Sequence, residues 1–196
     1  MNPLIDILYR NQGQTLTPEL IGGILGSFDA ALPEAVFTSV PGRELAVYRG
    51  TDDPRLVVDD RERVGTWLAQ RVGHPQGKWG TFGAIGLLDR PGGELVAGAL
   101  ANNMTATNAE THVAFSGKFA LKRILIYAFF DYVFNQLGLE RVTGLVDANN
   151  TDALRFDFHL GYEHEFIIPK GNGGDVYQLV MWRDKCRWLK QGVKNG

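Results

Sequence analysis

A short polar and basic loop stands between two apolar segments near the middle of the chain. Ser116 offers a hydroxyl, Gly117 permits close approach to the backbone, and Lys118, Lys122 and Arg123 supply positive charge. The first turn of a helix after such a loop has unpaired N–H groups and a partial positive charge, which together bind phosphate. The loop therefore predicts an anion site, with a solvated basic turn as the alternative.

The segment before this loop carries two side chains that could move a proton. Glu110 and His112 fall on one face of an alternating strand, opposite Thr111 and Val113. An imidazole with a pKa of about 6.5 accepts a proton near neutral pH. His112 is therefore a candidate general base and Glu110 a second one. The alternatives are a hydrogen-bonded structural histidine and a solvent-facing glutamate.

No metal site is expected from the remaining histidines. His74, His159 and His164 are scattered without the spacing of metal ligands, and no Ser/His/Asp or Cys/His arrangement is visible. Asn150 precedes an apolar helical segment and is expected to cap it, with contact to a ligand as a further role.

The composition is that of an ordinary globular protein. The chain has 196 residues and a formal net charge of -2, so it has no overall basic field that would indicate nucleic acid as a partner. Its single cysteine, Cys186, cannot form an internal disulfide. That favours a reducing compartment such as the cytoplasm, with Cys186 as a small buried side chain. There is no apolar run of about 18 residues and no signal-peptide pattern, so we expect no membrane partner.

Residues 1–54 are predicted to form a helical and irregular N-terminal extension. Apolar spacing predicts a short helix over Pro3–Tyr9, and a cap signal followed by an apolar stripe predicts a second one over Thr17–Phe28. That stripe needs a partner, which is the main domain, a second copy or another protein. Asp29–Arg43 is expected to be an irregular connector, and Glu44–Arg49 alternates like a strand.

Residues 55–196 predict one mixed α/β domain. Leu56–Val58 is expected to be a short strand, followed by a helix that Asp59 or Asp60 caps and that ends near Gly73. Three strands joined by tight turns then predict an antiparallel meander, over Thr81–Leu88, Leu95–Leu100 and Ala109–Phe115.

The rest of the domain predicts a crossover, a helix and a hairpin. Apolar residues at helical spacing predict a long buried helix over Phe119–Leu137, ended by Gly138. A strand over Val142–Val146 completes a strand–helix–strand crossover. The last predicted elements are a helix from Asn150 to Leu160, stopped by Gly161, and a hairpin of the strands 166–169 and 176–182. The sum is a mixed sheet with helices packed on it.

A set of short motifs gives the chain a family resemblance from about Arg55 to Leu189. The motifs are Trp67 with Arg71, His112-Val113-Ala114, Phe130-Asp131-Tyr132, Gln136-Leu137-Gly138, Arg141-Val142-Thr143-Gly144, Asn150 with Ala153-Leu154-Arg155-Phe156-Asp157, His159-Leu160-Gly161-Tyr162, Gly174-Asp175-Val176 and Cys186-Arg187-Trp188-Leu189. With these motifs the chain resembles the GNAT superfamily of acyl-coenzyme A-dependent N-acyltransferases. Within that superfamily, it is most similar to the acetyltransferase-like proteins of tailed bacteriophages.

The resemblance implies acetyl-CoA as co-substrate and direct attack of a primary amine on its thioester. In the family, the strand matching Ala109–Phe115 splays from the strand matching Val142–Val146, and the pantetheine arm lies in the V between them. The catalytic residues are then expected to be Glu110, His112 and Asp157. The residues expected to bind the coenzyme are Val113, Ala114, Phe115, Ser116, Gly117, Lys118, Phe119, Ala120, Leu121, Lys122, Arg123 and Asn150.

Two positions depart from the family pattern. The phosphate-loop motif Q/R-x-x-G-x-G/A falls on Gly117–Lys122, which puts Ala120 at the first glycine and Lys122 at the last small residue. Many family members carry a tyrosine acid seven residues after the helix-capping asparagine, where this chain has Asp157. An ordinary ionised aspartate is a poor acid at neutral pH.

Two functions are compatible with these patterns. The first is an N-acetyltransferase whose amine acceptor, small molecule or protein, is not identified by the sequence. The second is a non-catalytic GNAT-fold protein, such as a phage virion component or a host-binding module. The altered loop and the extension 1–54 favour the second, because the extension would bind a second copy or another protein. A phage-encoded protein would lie in the host cytoplasm or be associated with the virion.

Overall fold

The described part of the chain forms a seven-stranded mixed sheet with helices packed on it. The computed structural model describes residues 45, 47–74, 77–117 and 120–189. They belong to the unit Gly42–Gly196. The helices predicted at 3–9 and 17–28, the connector 29–43, and the predicted site residues Lys118 and Phe119 lie outside the described residues.

The strands are β1 (Leu56–Val57), β2 (Gly83–Leu88), β3 (Leu95–Asn102), β4 (Asn108–Phe115), β5 (Arg141–Asp147), β6 (Glu163–Ile168) and β7 (Val176–Trp182). Their order across the sheet is β1-β2-β3-β4-β5-β7-β6. Neighbouring strands are antiparallel except for β4 and β5, which are parallel. This confirms the predicted meander (β2 to β4), the crossover to β5 and the C-terminal hairpin of β6 and β7.

Three α-helices connect the strands in the described residues, and local capping chemistry sets most of their ends. They are α1 (Arg61–Ala69), α2 (Arg123–Asp131) and α3 (Thr151–Leu160), and α2 continues as a π-helical turn over Tyr132–Gln136. Asp60 caps α1 by accepting a hydrogen bond from the backbone N–H of Arg63 at 3.1 Å. Gly138 follows the π turn and Gly161 follows α3, with φ of +67° and +111°, values that glycine adopts without strain.

Several predicted elements differ from the structure. Helix α1 ends at Ala69 and not near Gly73, and β6 begins at Glu163 and not at Phe166. Helix α2 begins at Arg123 and not at Phe119, because Lys122 has extended backbone angles (φ -116°, ψ 149°). Leu45 and residues 47–49 are not in a strand. Their segment is held by side-chain hydrogen bonds instead. The Tyr48 hydroxyl donates to Asp131 Oδ2 at 3.0 Å, and Gln136 Nε2 donates to the backbone oxygen of Val47 at 2.9 Å.

Apolar side chains fill two clusters, and β4 contributes to both. The larger cluster lies under α2, the π turn and α3 and includes Ala109 and, at its edge, Val113. The smaller cluster lies under α1 and includes Trp79 and, at its edge, Ala114. Strand β4 therefore presents alternate residues to opposite sides of the sheet. Cys186 is fully buried, as predicted. Among the described residues, none of the helices has the length and apolar character needed to cross a bilayer.

Candidate active site between β4 and β5

A cleft opens where β4 and β5 separate. The two strands pair only at Asn108 with Arg141, Ala109 with Val142, and Glu110 with Thr143. Both strands continue beyond these pairs, and their outer edges stay bound to β3 and β7. The gap between them is a cavity of about 520 Å³. The inner edges of both strands are therefore available to hydrogen-bond an extended ligand.

Hydrogen bonds between side chains fix the closed end of this cleft. Thr111 Oγ1 donates to the backbone oxygen of Thr143 at 3.1 Å and lies 2.9 Å from the Tyr162 hydroxyl. Thr111 has one hydroxyl proton, which the Thr143 oxygen accepts, so Tyr162 is the donor to Thr111. Burial raises the pKa of Tyr162, and its hydroxyl keeps the proton. These bonds set the point at which the strands separate.

Asp157 lies beside the first open position of β5. It projects from α3, and a Cβ built on Gly144 would come 3.8 Å from its Oδ2. Gly144 directly follows Thr143, the last β5 residue paired with β4. Burial raises the pKa of Asp157 from 3.8 to about 7. A large fraction of this carboxyl is therefore protonated at neutral pH and can donate a proton, unlike an ordinary aspartate.

His112 lies on the side of the sheet that faces α1. Its ring centroid is 5.0 Å from that of Trp79, and its Nε2 is 3.1 Å from Asn102 Oδ1. Burial is the largest cause of a lowered His112 pKa; the nearby His74 lowers it further, and the charge of Glu110 opposes both. The imidazole is therefore neutral around pH 7 and can accept a proton.

Glu110 lies beside His112 and raises its pKa, but it does not line the cleft. Its Oε1 is 3.5 Å from His112 Nε2, which confirms that the two side chains share one face of β4. Its Oε2 accepts a hydrogen bond from Asn103 Nδ2 at 2.9 Å. The carboxylate can therefore stabilise a positive charge on His112.

The residues expected to bind the coenzyme divide between the cleft wall and the loop beyond it. Val113, Ala114 and Asn150 line the cleft. Asn150 also caps α3, since its Oδ1 accepts a hydrogen bond from the backbone N–H of Ala153 at 3.1 Å. Phe115 is outside the wall but its ring lies 5.4 Å from that of Phe156, which is in the wall.

The loop that follows β4 leads directly into α2. Ser116 is still bound to β3 through its backbone N–H, and a Cβ built on Gly117 would meet nothing within 4 Å. Leu121 packs against the larger apolar cluster. No side chain of Lys122 caps α2, so the first N–H groups of that helix, starting at Arg123, have no side-chain acceptor from the cap position. With Ala120, these loop residues lie outside the cleft wall.

Several residues that shape the site were not among the predicted ones. Thr111, Gly144 and Tyr162 form or border the closed end of the cleft. Strand alternation and the positions of the family motifs could have predicted these three residues. Asn102 contacts His112 from β3. Its position depends on the register between β3 and β4, for which the sequence carries no local signal. No group of three or more potential metal ligands occurs among the described residues.

Comparison with known proteins identifies the fold. No family model matches the sequence, and no curated protein matches it. A mutant of spermidine N-acetyltransferase from Vibrio cholerae matches the structure with a TM-score of 0.54 at 15% identity, covering 69% of this chain and 94% of that one. Another mutant of that protein gives 0.48 at 21% identity, with 55% and 68% covered. Its complex with CoA and spermine gives 0.48 at 19%, with 53% and 67% covered.

At these identities the comparison concerns the arrangement of strands and helices alone. The 0.54 match spans almost the whole of the other chain, and both the mixed sheet and the crossover between β4 and β5 were predicted from the sequence. The described domain has the fold of the GNAT N-acetyltransferases.

Proposed function

We propose that the protein is an N-acetyltransferase that moves an acetyl group from acetyl-CoA to a primary amine. The observation that carries the proposal is the cleft where β4 and β5 separate, because it is lined by both a neutral His112 and an Asp157 that is partly protonated at neutral pH. A base and an acid with these protonation states suit transfer from a thioester to an amine.

Each side chain then has a defined step. His112 takes a proton from the amine as its nitrogen forms a bond to the carbonyl carbon, and Glu110 stabilises the imidazolium. Backbone N–H groups on the open edge of β4 donate to the developing oxyanion. Asp157 gives its proton to the sulfur as the C–S bond breaks, which yields the amide and the free thiol.

The open strand edges support the expected coenzyme position. An extended amide chain binds a sheet edge as an added strand would, here beside Val113 and Ala114. The phosphates would lie at the loop 116–123, where Gly117 leaves space and the N–H groups at the start of α2 have no side-chain cap. Lys122 takes the place of a small residue, and its ammonium would pair with a phosphate there.

The acceptor is proposed to be a primary amine that reaches the cleft from the α1 side, where His112 lies. Spermidine is the first compound to test, because a protein with the same fold is named as a spermidine N-acetyltransferase. The closer resemblance to phage-encoded proteins would place the chain in a host cytoplasm or on a virion. Residues 1–54 would then bind a second copy or another protein.

Calorimetry with acetyl-CoA tests the proposal. The full-length protein is expected to bind acetyl-CoA. Gly117→Trp should abolish binding, because the space around the Gly117 Cα is open and an indole would fill it. The φ of Gly117 is not positive, so a larger residue causes no backbone strain there. Ala106→Trp is the matched control, since Ala106 is exposed at the opposite end of β4. Control binding should equal that of the wild type.

Two outcomes would contradict parts of this proposal. Absence of acetyl-CoA binding by the wild-type protein at millimolar concentrations would exclude the enzyme and favour a non-catalytic module. Unchanged binding by Gly117→Trp would show that the phosphates do not lie at this loop.

A further inference from the structure

Asn102 is buried at the end of β3 and makes two hydrogen bonds that determine its orientation. It is 6% exposed, and its Nδ2 donates to the backbone oxygen of Trp79 at 3.4 Å. A backbone carbonyl only accepts, so the amide nitrogen must point towards Trp79. The other end of the amide, Oδ1, therefore faces His112 at 3.1 Å.

This orientation decides which nitrogen of His112 carries the proton. An amide oxygen only accepts, so Nε2 of His112 must be the donor in the bond to Asn102. The second oxygen near Nε2, Glu110 Oε1, is 3.5 Å away and is also an acceptor. Both neighbours therefore favour the same tautomer, in which Nε2 carries the hydrogen and Nδ1 the lone pair.

The remaining ring nitrogen of His112, Nδ1, is accessible. In the described part of the chain, the only buried side-chain nitrogen or oxygen without a hydrogen bond is Arg141 Nε. Nδ1 of His112 has no partner among the described residues, so it must be accessible. His112 is one of the residues in the cleft wall, so Nδ1 is the ring atom available to take a proton there.

We propose that Asn102 is a positioning residue that holds His112 in the Nε2–H tautomer and so makes Nδ1 the proton-accepting atom. The role of that atom in catalysis rests on the proposed acetyl transfer, whereas the tautomer itself does not. Trp79 supports the arrangement twice, since its backbone oxygen orients Asn102 and its ring, buried between His74 and His112, covers the imidazole. Its indole Nε1 is held by the backbone oxygen of Gly65 in α1.

Nitrogen NMR of the full-length protein labelled at histidine tests the tautomer directly. The four histidines are assigned with the aid of His112→Gln. At a pH above the His112 pKa, the His112 ring is expected to show a protonated Nε2 and an unprotonated Nδ1. A protonated Nδ1 in the wild type would overturn the proposal, whether or not the protein proves to be a transferase.

Two variants separate positioning from charge. Asn102→Asp keeps the shape and the acceptor facing His112 but loses the donor to the Trp79 oxygen. It also adds a negative charge at 3.1 Å, so the His112 pKa should rise by about 1–3 units. The low-pH limb of the kcat/KM profile, which reports the protonation of His112, should move to higher pH by the same amount. Glu110→Gln removes the charge at 3.5 Å, so it should lower the pKa and leave the tautomer unchanged. The other titratable group that acts on the ring, His74, is unchanged in both variants.

A third variant tests the consequence for turnover. Asn102→Leu removes the acceptor and should lower kcat by up to about 100-fold while leaving acetyl-CoA affinity unchanged. Two results would contradict the positioning role. One is a His112 pKa in Asn102→Asp equal to that of the wild type, and the other is a wild-type kcat in a folded Asn102→Leu variant. Absence of all transferase activity in the wild type, with the Nε2–H tautomer present, would reject the proposed function and leave the tautomer assignment intact.

Discussion

Replacing Asp157 by asparagine should make the protein more stable at alkaline pH. The pKa of Asp157 is raised by burial from 3.8 to about 7. Between these two values the folded protein holds a proton that the unfolded chain has released. Stability therefore falls as the pH rises from about 4 to about 7, and the full penalty is present above that range. The amide side chain in Asp157→Asn is neutral at every pH, so this variant should lack the penalty.

The size of the effect follows from the same two values. At about 1.36 kcal/mol per pKa unit, the rise from 3.8 to about 7 gives an upper limit of ~4 kcal/mol at pH 8. Asp157 lines the cleft, so water will reduce this penalty. We therefore expect Asp157→Asn to gain at least ~1.4 kcal/mol in the free energy of unfolding, which corresponds to one pKa unit. Below pH 4 the two proteins should be equally stable, because the aspartate is protonated in both states.

Urea unfolding of the two proteins at pH 4 and pH 8 measures this difference. The matched control is Asp152→Asn on the same helix, whose side chain is 95% exposed and should show no such pH-dependent gain. The same Asp157→Asn protein should lose about 10²-fold or more in kcat, because an amide cannot protonate the leaving thiolate. A stability difference between Asp157→Asn and wild type that is equal at pH 4 and pH 8 would refute the raised pKa.

Three further substitutions test other parts of the site. His112→Gln should lower kcat by about 10²–10⁴-fold with acetyl-CoA affinity unchanged, as measured by steady-state kinetics and calorimetry; unaltered kcat would rule out His112 as the base. Tyr162→Phe loses the hydrogen bond to Thr111 and should lower the free energy of unfolding in urea by ~1 kcal/mol. The kcat/KM of this variant should still fall as the pH rises through about 7, the alkaline limb of its pH profile, because Asp157 still loses its proton there. Loss of that limb would identify Tyr162, and not Asp157, as the acid. Asn150→Ala should destabilise the protein by ~1 kcal/mol through the lost α3 cap, and Asn150→Asp should restore most of it.

Local chemistry made several elements predictable. Asn150 and Gly161 delimit α3 because a cap and a left-handed glycine act within a few residues. The start of α2 could not be placed in this way. Lys122 has no side-chain oxygen to mark an N-cap, and the apolar periodicity continues back into the loop, where Leu121 packs on the core without being helical. The predicted strand near Tyr48 failed because long-range side-chain bonds to α2 replaced a strand ladder.

The properties of the site depend on contacts between distant segments. Glu110 and His112 share a face by strand alternation alone, which the sequence predicts. The protonation of Asp157 depends on α3 packing beside Gly144, and the tautomer of His112 depends on which β3 residue lies opposite β4. Neither contact has a signal within a short window of sequence, so an aspartate with ordinary acidity was the natural expectation.

The central claim is acetyl transfer through the cleft between β4 and β5, and mass spectrometry of the products tests it most directly. The wild-type protein is incubated with isotopically labelled acetyl-CoA and a panel of primary amines that includes spermidine and a lysine peptide. We expect one amine to gain a labelled acetyl group, with an equal amount of free coenzyme thiol and no product from His112→Gln. Binding of acetyl-CoA without any acetylated amine, in the panel or in a cell lysate, would contradict the claim.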